Sequence, residues 1–193
     1  MDFNMLINYG RRAMSLDVSF YEEAAQTDSM TRDALNMVIV VAVLNGIGAF
    51  IGQIFGMNFL AAFAFLVVQT ILTVALYYVA AYVTQYVGAA MFKGQGTQQQ
   101  MLRTMGFAYA PQALSVLSFI PCVGGFIALA GSIWYLVCGF FAVRTTHRLS
   151  DGQAIITMII AWLIVAVITV VVLALVGIIV GVPAAMLNMA TGQ

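Results

Sequence analysis

Three long stretches without a charged side chain constrain the fold of this chain more than any other feature. They run from Ala34 to Phe92, from Thr104 to Val143 and from Gly152 to Gln193. An α-helix needs roughly 20 apolar residues to cross the hydrocarbon core of a bilayer. By length, the stretches therefore hold about two, two and one membrane-crossing helices respectively.

The low charge content excludes a soluble globule. Only 7% of the residues are charged and 63% are apolar, whereas about a quarter of the residues of a soluble domain are charged. Seven basic residues balance seven acidic ones. This balance excludes a nucleic-acid partner that binds through a broad basic field.

The predicted fold is an all-α polytopic membrane bundle of five transmembrane helices. An amphipathic segment, residues 1–33, precedes a transmembrane domain, residues 34–193. The predicted helices cover about 34–55, 59–92, 101–120, 123–143 and 153–182. The turn between the third and fourth helices is predicted from the proline and glycine content of Pro121 to Gly125.

The basic residues predict the orientation. In a five-span arrangement all seven lysines and arginines fall on one side of the membrane. The positive-inside rule makes that side cytoplasmic, which places the N-terminus inside and the C-terminus outside. Residues 104–143 form either two full spans, which we favour, or a re-entrant hairpin, because both arrangements leave the flanking basic residues on the same side.

No candidate catalytic or metal site is found in the predicted spans, which contain no Asp, Glu, Lys, Arg or His except Arg103 at the N-terminal end of the third. Membrane-embedded ionisable groups mark proton relays and ion paths, so a proton-coupled transporter is disfavoured. His147 is the only histidine, and one histidine without further ligands does not make a metal site. We interpret His147 as an interfacial loop residue, and we expect no enzyme activity and no cofactor.

Glycines at four-residue spacing form two smooth helix faces. Gly48, Gly52 and Gly56 share one face, and Gly177 and Gly181 share another. Such faces let a second helix approach closely. The partner is either another helix of the same chain or a helix of an oligomer or membrane-protein partner.

Basic residues at predicted helix ends form a second candidate site. Lys93, Arg103, Arg144 and Arg148, with His147 beside them, are predicted to contact anionic headgroups or a cytoplasmic partner. Each headgroup contact contributes about 1 kcal/mol. The alternative is that these residues only fix the topology.

Uncharged polar residues within the spans offer an alternative function. Gln69, Gln85 and Gln112, with the helix break at Pro111, are candidates for the lining of a small hydrophilic path. Such amides more often hydrogen-bond neighbouring helices. The discriminating observation is whether they converge on a cavity.

An ordered series of short motifs resembles the Ypt-interacting-protein (Yip) domain family of five-span membrane proteins. The series begins with Gly94-Gln-Gly-Thr97, continues through Met101-Leu-Arg103, Gly106 to Pro111, Ile120-Pro121, Gly124-Gly125 and Trp134, and ends with Val143-Arg-Thr-Thr-His-Arg-Leu-Ser150 and Ala154. The resemblance implies five helices and a cytoplasmic N-terminus. Eukaryotic members act in vesicle trafficking, bind Rab-type small GTPases and shape membranes, and they generally have a longer cytosolic N-terminal region. The short N-terminal segment here resembles that of prokaryotic members, which implies a prokaryotic plasma membrane.

The leading functional hypothesis is a non-catalytic membrane protein that acts as a scaffold, as an accessory or assembly subunit, or in membrane organisation and trafficking. Its expected partners are the lipid bilayer and either a membrane protein or further copies of itself. The alternative is a passive channel or carrier for small uncharged solutes.

Overall fold

A computed structural model describes residues 3–54 and 59–191, with side-chain surroundings for residues 3–54 and 59–175. Seven α-helices and one 3₁₀ helix account for nearly all of these residues. They are α1 (Phe3–Met14), α2 (Val18–Gln26), α3 (Met30–Gln53), α4 (Phe59–Phe92), α5 (Gln98–Ala108), the 3₁₀ helix (Ala110–Phe119), α6 (Gly124–His147) and α7 (Asp151–Thr191).

Four of the helices are long and apolar enough to cross a membrane. They are α3, α4, α6 and the Asp151–Leu175 part of α7. Many of their large apolar side chains, above all on α4 and α7, are exposed at the protein surface, as expected when the surrounding solvent is lipid. The predicted class, an all-α polytopic membrane protein, is confirmed.

The third predicted helix, 101–120, is two elements in the structure. Regular α-helix ends at Ala108, and the 3₁₀ helix begins two residues later. Pro111 explains the break, because proline has no backbone N–H and its ring clashes with the carbonyl four residues earlier in an α-helix. The five predicted spans therefore correspond to four long helices and one broken segment.

The broken segment runs beside α3 and in the same direction. Near its start, a Cβ built on Gly106 would lie 2.9 Å from Ala34 Cβ, and near its end, one built on Gly52 would lie 3.5 Å from Phe119 Cβ. The segment thus follows α3 along most of its length. A re-entrant hairpin would turn back instead, so these contacts favour the two-span hypothesis.

The remaining helices alternate in direction. Gly46 of α3 lies against Thr70 of α4, and Gly131 and Gly139 of α6 lie against Pro111 and Met105 respectively. Together with the Phe50 and Phe59 rings, whose centres are 5.6 Å apart, these pairings make α4 antiparallel to α3, and α6 antiparallel to the broken segment. The last helix, α7, packs mainly against α4 and less against α6.

The predicted glycine faces have different surroundings. A Cβ on Gly48 would lie 2.9 Å from Val116 Cα, so this glycine lets the backbone of the 3₁₀ helix approach α3. At Gly52 the corresponding contact is ordinary van der Waals packing. Gly56 lies outside the described residues, and Gly177 and Gly181 lie in the part of α7 whose side-chain surroundings are not described. Gly48 therefore serves packing within the chain.

Helices α1 and α2 form a hairpin, residues 3–26, that packs on α5, α6 and the 3₁₀ helix. Leu6, Gly10 and Ala13 share the buried face of α1, following the three- to four-residue spacing of a helix. The Asp17 side chain caps α2 by accepting a hydrogen bond from the Phe20 amide. The amphipathic pattern of the N-terminal segment is thus largely satisfied by the bundle itself.

Candidate functional site

The candidate site is the basic end of the bundle, defined by Lys93, Arg103, Arg144 and Arg148. Lys93, Arg144 and Arg148 lie at the ends of α4 and α6, and Arg103 lies in the middle of the short helix α5. The last turn of α2 lies beside Arg103 in the same part of the bundle. Sequence reasoning grouped the four basic residues, and the structure separates them into one buried side chain and three at the surface.

Arg103 is the buried member, with only 3% of its surface exposed. Its Nε donates to Ala24 O at 2.9 Å and its Nη2 donates to Ala25 O at 2.7 Å. Its Nη1 donates to Asp28 Oδ1 at 2.6 Å. Carbonyls in the last turn of a helix lack intrahelical partners, so Arg103 satisfies the end of α2 and joins it to α5.

Aromatic rings pack the hairpin against α5. The Phe20 ring lies 5.1 Å from Phe107 and 5.6 Å from Tyr9, and Tyr9 lies 5.4 Å from Phe107. Each well-placed aromatic pair adds about 0.5–1.5 kcal/mol beyond the burial of its surface. The guanidinium carbon of Arg12 lies 4.8 Å from the centre of the Phe20 ring and extends this cluster toward the surface.

Hydrogen bonds join α1 to α2 and hold the turn between them against α6. Trp134 Nε1 donates to Met14 O at 2.9 Å, and the Tyr21 hydroxyl donates to Ala13 O at 3.1 Å. The Cys138 thiol lies 3.6 Å from the same Ala13 carbonyl and is fully buried. These contacts were not predicted, because their acceptors are main-chain atoms that leave no signal in the sequence.

His147 lies inside the protein, as the last residue of α6, and not in an interfacial loop as the sequence suggested. It is 1% exposed and sits between Gly88 and Gly94. A Cβ on Gly88 would lie 2.6 Å from His147 Nε2, and one on Gly94 would lie 2.7 Å from its Cγ. The two glycines make the space that the ring occupies, and this explains the burial. Within the described structure neither ring nitrogen makes a hydrogen bond of good geometry, and the nearest polar backbone is that of Gly94.

The loop between α4 and α5 is held by the end of α6. Gln95 N donates to His147 O at 3.3 Å, and the Thr104 and Thr146 hydroxyls are 2.8 Å apart. The loop ends in a capping box, in which Thr97 and Gln100 bond to each other's backbone amides. The first motifs of the family resemblance, Gly94 to Arg103, therefore meet the later one, Val143 to Ser150, at this end of the bundle, whereas Ile120 to Gly125 form the turn at the far end of α6.

The other three basic residues remain accessible. Arg144 Nε pairs with Asp151 Oδ1 at 2.7 Å, and both side chains are exposed. Lys93 and Arg148 adopt positive φ values of 55° and 54° where α4 and α6 end. A polar cavity of about 540 Å³ lies beside Arg144 and Arg148, with Glu22 in its lining. This arrangement suits contact with anionic groups at a membrane surface.

The amides proposed for a solute path do not converge. Gln85 Nε2 donates to Gly96 O at 2.7 Å, and Gln112 Oε1 accepts from Ser115 at 3.3 Å. Gln69 lies more than four helical turns before Gln85 on α4. None of the three lines any of four cavities found in the described structure, which lie between α6 and α7, behind that gap, beside Arg144 and beside Asp28. The geometry therefore favours hydrogen bonding within the bundle.

The described residues contain no group of three or more histidine, cysteine, aspartate or glutamate side chains that are placed to hold a metal ion.

One signal for the buried surroundings of His147 was present in the sequence. Gly88, Gly94 and Gly96 recur over nine residues at the end of a long apolar helix, and all three contact Thr146 or His147. Their spacing identifies a tight approach, although not its partner.

Comparison with known proteins identifies the family. No curated protein and no solved structure matches the chain. The Yip1 domain matches residues 18–173, a span that begins at the start of α2 and ends within α7. Such a match supports a membrane-associated, non-catalytic role in general. Because it covers most of the sequence, the chain belongs to the Yip1 domain family.

Proposed function

We propose that this protein is a non-catalytic membrane scaffold. A bundle that crosses the bilayer five times holds the α1–α2 hairpin at its cytoplasmic end and presents it to a membrane-protein partner. The observation that carries the proposal is the buried Arg103, which bonds to the last turn of α2. A hairpin fixed in this way loses conformational freedom before any partner arrives, so less ordering entropy opposes binding.

The exposed face of α1 supplies the contact surface. Phe3 and Ile7 are 58% and 49% exposed, and with Arg11 they recur at four-residue spacing on one face. An apolar stripe that ends in a basic residue suits the boundary between acyl chains and headgroups. The stripe is thus placed to meet a partner helix at the cytoplasmic surface of the membrane.

The accessible basic residues support this placement. Lys93, Arg144 and Arg148 contact anionic headgroups in the proposed arrangement, at about 1 kcal/mol each. Arg103 and His147 are left out of the headgroup contact because they are buried. The proposed location is the plasma membrane of a prokaryote, with a cytoplasmic N-terminus.

Isolation from the native membrane in mild detergent tests the scaffold role. The intact protein is expected to co-purify with a defined membrane complex in fixed ratio. Ile7→Ser is expected to abolish co-purification, whereas Val18→Ser, a matched exposed position on α2, retains it. Recovery of the intact protein alone, as monomer or homo-oligomer, contradicts the proposal.

A further inference from the structure

The gap between α6 and α7 forms an apolar groove of about 490 Å³. Ile133 and Phe140 of α6 and Ile159 and Leu163 of α7 are among its lining residues, all of which are apolar except for the indole nitrogen of Trp162. Ile133, Ile159 and Leu163 are more than half exposed. Because α6 and α7 are both predicted spans, this groove opens sideways toward lipid.

A second, smaller cavity of about 150 Å³ lies behind the groove, between α4, α5, α6 and α7. Leu136, Met158 and Trp162 line both spaces. The two are therefore neighbours, with these three side chains between them.

The inner cavity is uncharged but carries hydroxyl groups. Tyr109, Tyr135, Thr84 and Thr169 are among its lining residues, and the two tyrosine rings lie 5.0 Å apart. Elsewhere in the bundle the hydroxyl of a buried tyrosine donates to the main chain, as Tyr77 does to Leu102 O at 2.6 Å. Among the described residues no hydrogen bond of the Tyr109 or Tyr135 hydroxyl is found, and neither oxygen is one of the fully enclosed unpartnered atoms, so both remain accessible. A hydroxyl that faces an apolar space gains free energy when it bonds to a ligand oxygen.

We propose that this gap binds a neutral lipid that enters sideways from the bilayer. Its acyl or isoprenoid tail occupies the groove, and its hydroxyl or carbonyl oxygen bonds to the phenols of Tyr109 and Tyr135. A cavity of about 150 Å³ holds a head no larger than a single six-membered ring. A charged headgroup is excluded because no charged side chain lines the inner cavity. The site is independent of the hairpin and of any membrane-protein partner.

Fluorescence of Trp162 tests the site, since this side chain lines both spaces. The chain has two tryptophans, and Trp134→Phe leaves Trp162 as the only one, which is excited selectively over the tyrosines. The full chain is reconstituted in phosphatidylcholine vesicles that contain a low mole fraction of a dibrominated lipid, whose bromines quench on contact. The probe is dibrominated distearoylglycerol, and the control is phosphatidylcholine with the same brominated chains.

The diacylglycerol is expected to quench Trp162 at a lower mole fraction than the brominated phosphatidylcholine. Tyr135→Phe and Tyr109→Phe each remove one hydrogen bond and raise the mole fraction needed by about three- to tenfold. Tyr82→Phe, a phenol exposed on α4, leaves it unchanged. Equal quenching by the two lipids overturns the proposal, and so does a Tyr135→Phe curve that coincides with that of Tyr82→Phe.

Discussion

Replacement of Arg103 by methionine isolates the contact that fixes the hairpin. Methionine keeps the apolar stem of the side chain and removes the donors to Ala24 O, Ala25 O and Asp28. We expect the hairpin to leave the bundle far more often in this variant, while the helices that cross the membrane remain assembled.

The magnitude follows from the surroundings of each acceptor. Hydrogen bonds from a charged donor to the two carbonyls contribute about 1.5–3 kcal/mol each. Asp28 is 88% exposed, so its ion pair with Arg103 contributes at most about 1 kcal/mol. Water that enters beside the exposed Asp28 replaces part of the hydrogen bonding that the Ala24 and Ala25 carbonyls lose. The expected cost is therefore about 3 kcal/mol, at the lower end of the two-bond range.

The buried thiol of Cys138 reports opening of the hairpin, because it packs against Ala13. In a Cys122→Ala background it is the only cysteine. A loss of about 3 kcal/mol corresponds to labelling by a small maleimide that is on the order of a hundredfold faster. The matched control is Arg11→Met, at an exposed position of α1, with an expected change within about 0.5 kcal/mol. Equal labelling rates for the two variants would refute the assigned role of Arg103.

Three further predictions concern packing, orientation and pH. Gly48→Ala is expected to destabilise the fold by about 1–3 kcal/mol and so to lower the thermal unfolding temperature in detergent. Gly52→Ala is expected to leave that temperature nearly unchanged, and the reverse order would contradict the packing described. Cys122, exposed in the turn before α6, is expected to react with a membrane-impermeant maleimide added to intact cells, and labelling only after lysis would reverse the orientation. Hydrogen bonds from neighbouring side chains hold the pKa of Asp17 below its usual value; the folded form is therefore stabilised above the unfolded pKa, and this stabilisation is lost as the pH falls through the folded pKa. Trp134 fluorescence is expected to report hairpin release on acidification, and a release curve of Asp17→Asn with the same pH dependence would exclude this carboxylate as the cause.

The membrane class and the helix order could be predicted because both depend on composition along the chain. Charge-free stretches longer than a bilayer admit few other folds, and four of the five predicted spans are continuous helices in the structure. Pro111 marked the position at which the third predicted span is broken. The 3₁₀ geometry after it depends on packing against α3 and α6, which a local pattern does not contain.

The site was less predictable because its partners are distant main-chain atoms. Arg103 donates to the carbonyl of a residue 79 positions earlier, and any residue type supplies the same carbonyl. A lone arginine between two charge-free stretches is equally typical of a surface residue that fixes topology. His147 was misplaced for a related reason, since the glycines that enclose it lie on other elements.

Similar spacing also concealed a difference between Gly48 and Gly52. Both lie on one face of α3, and a helical pattern treats them alike. Only Gly48 closely approaches the backbone of the broken segment, where a Cβ would lie 2.9 Å from Val116 Cα; at Gly52 the nearest backbone atom, Phe119 Cα, would be 3.9 Å away. Which of the two positions requires glycine depends on how closely the 3₁₀ helix approaches α3 there, and the sequence around the two glycines does not contain this information.

The 3₁₀ helix gives the broken segment a reach that its residue number would not otherwise provide. Ten residues rise about 20 Å as a 3₁₀ helix and only about 15 Å as an α-helix. With the 11 residues of α5, the total is about 36 Å, equal to the length of the 24-residue α3. Recoiling of this segment into α-helix would draw the turn at Pro121 inward by about 5 Å. The choice between 3₁₀ and α-helical hydrogen bonding in these ten residues therefore sets the distance between the two ends of the broken segment.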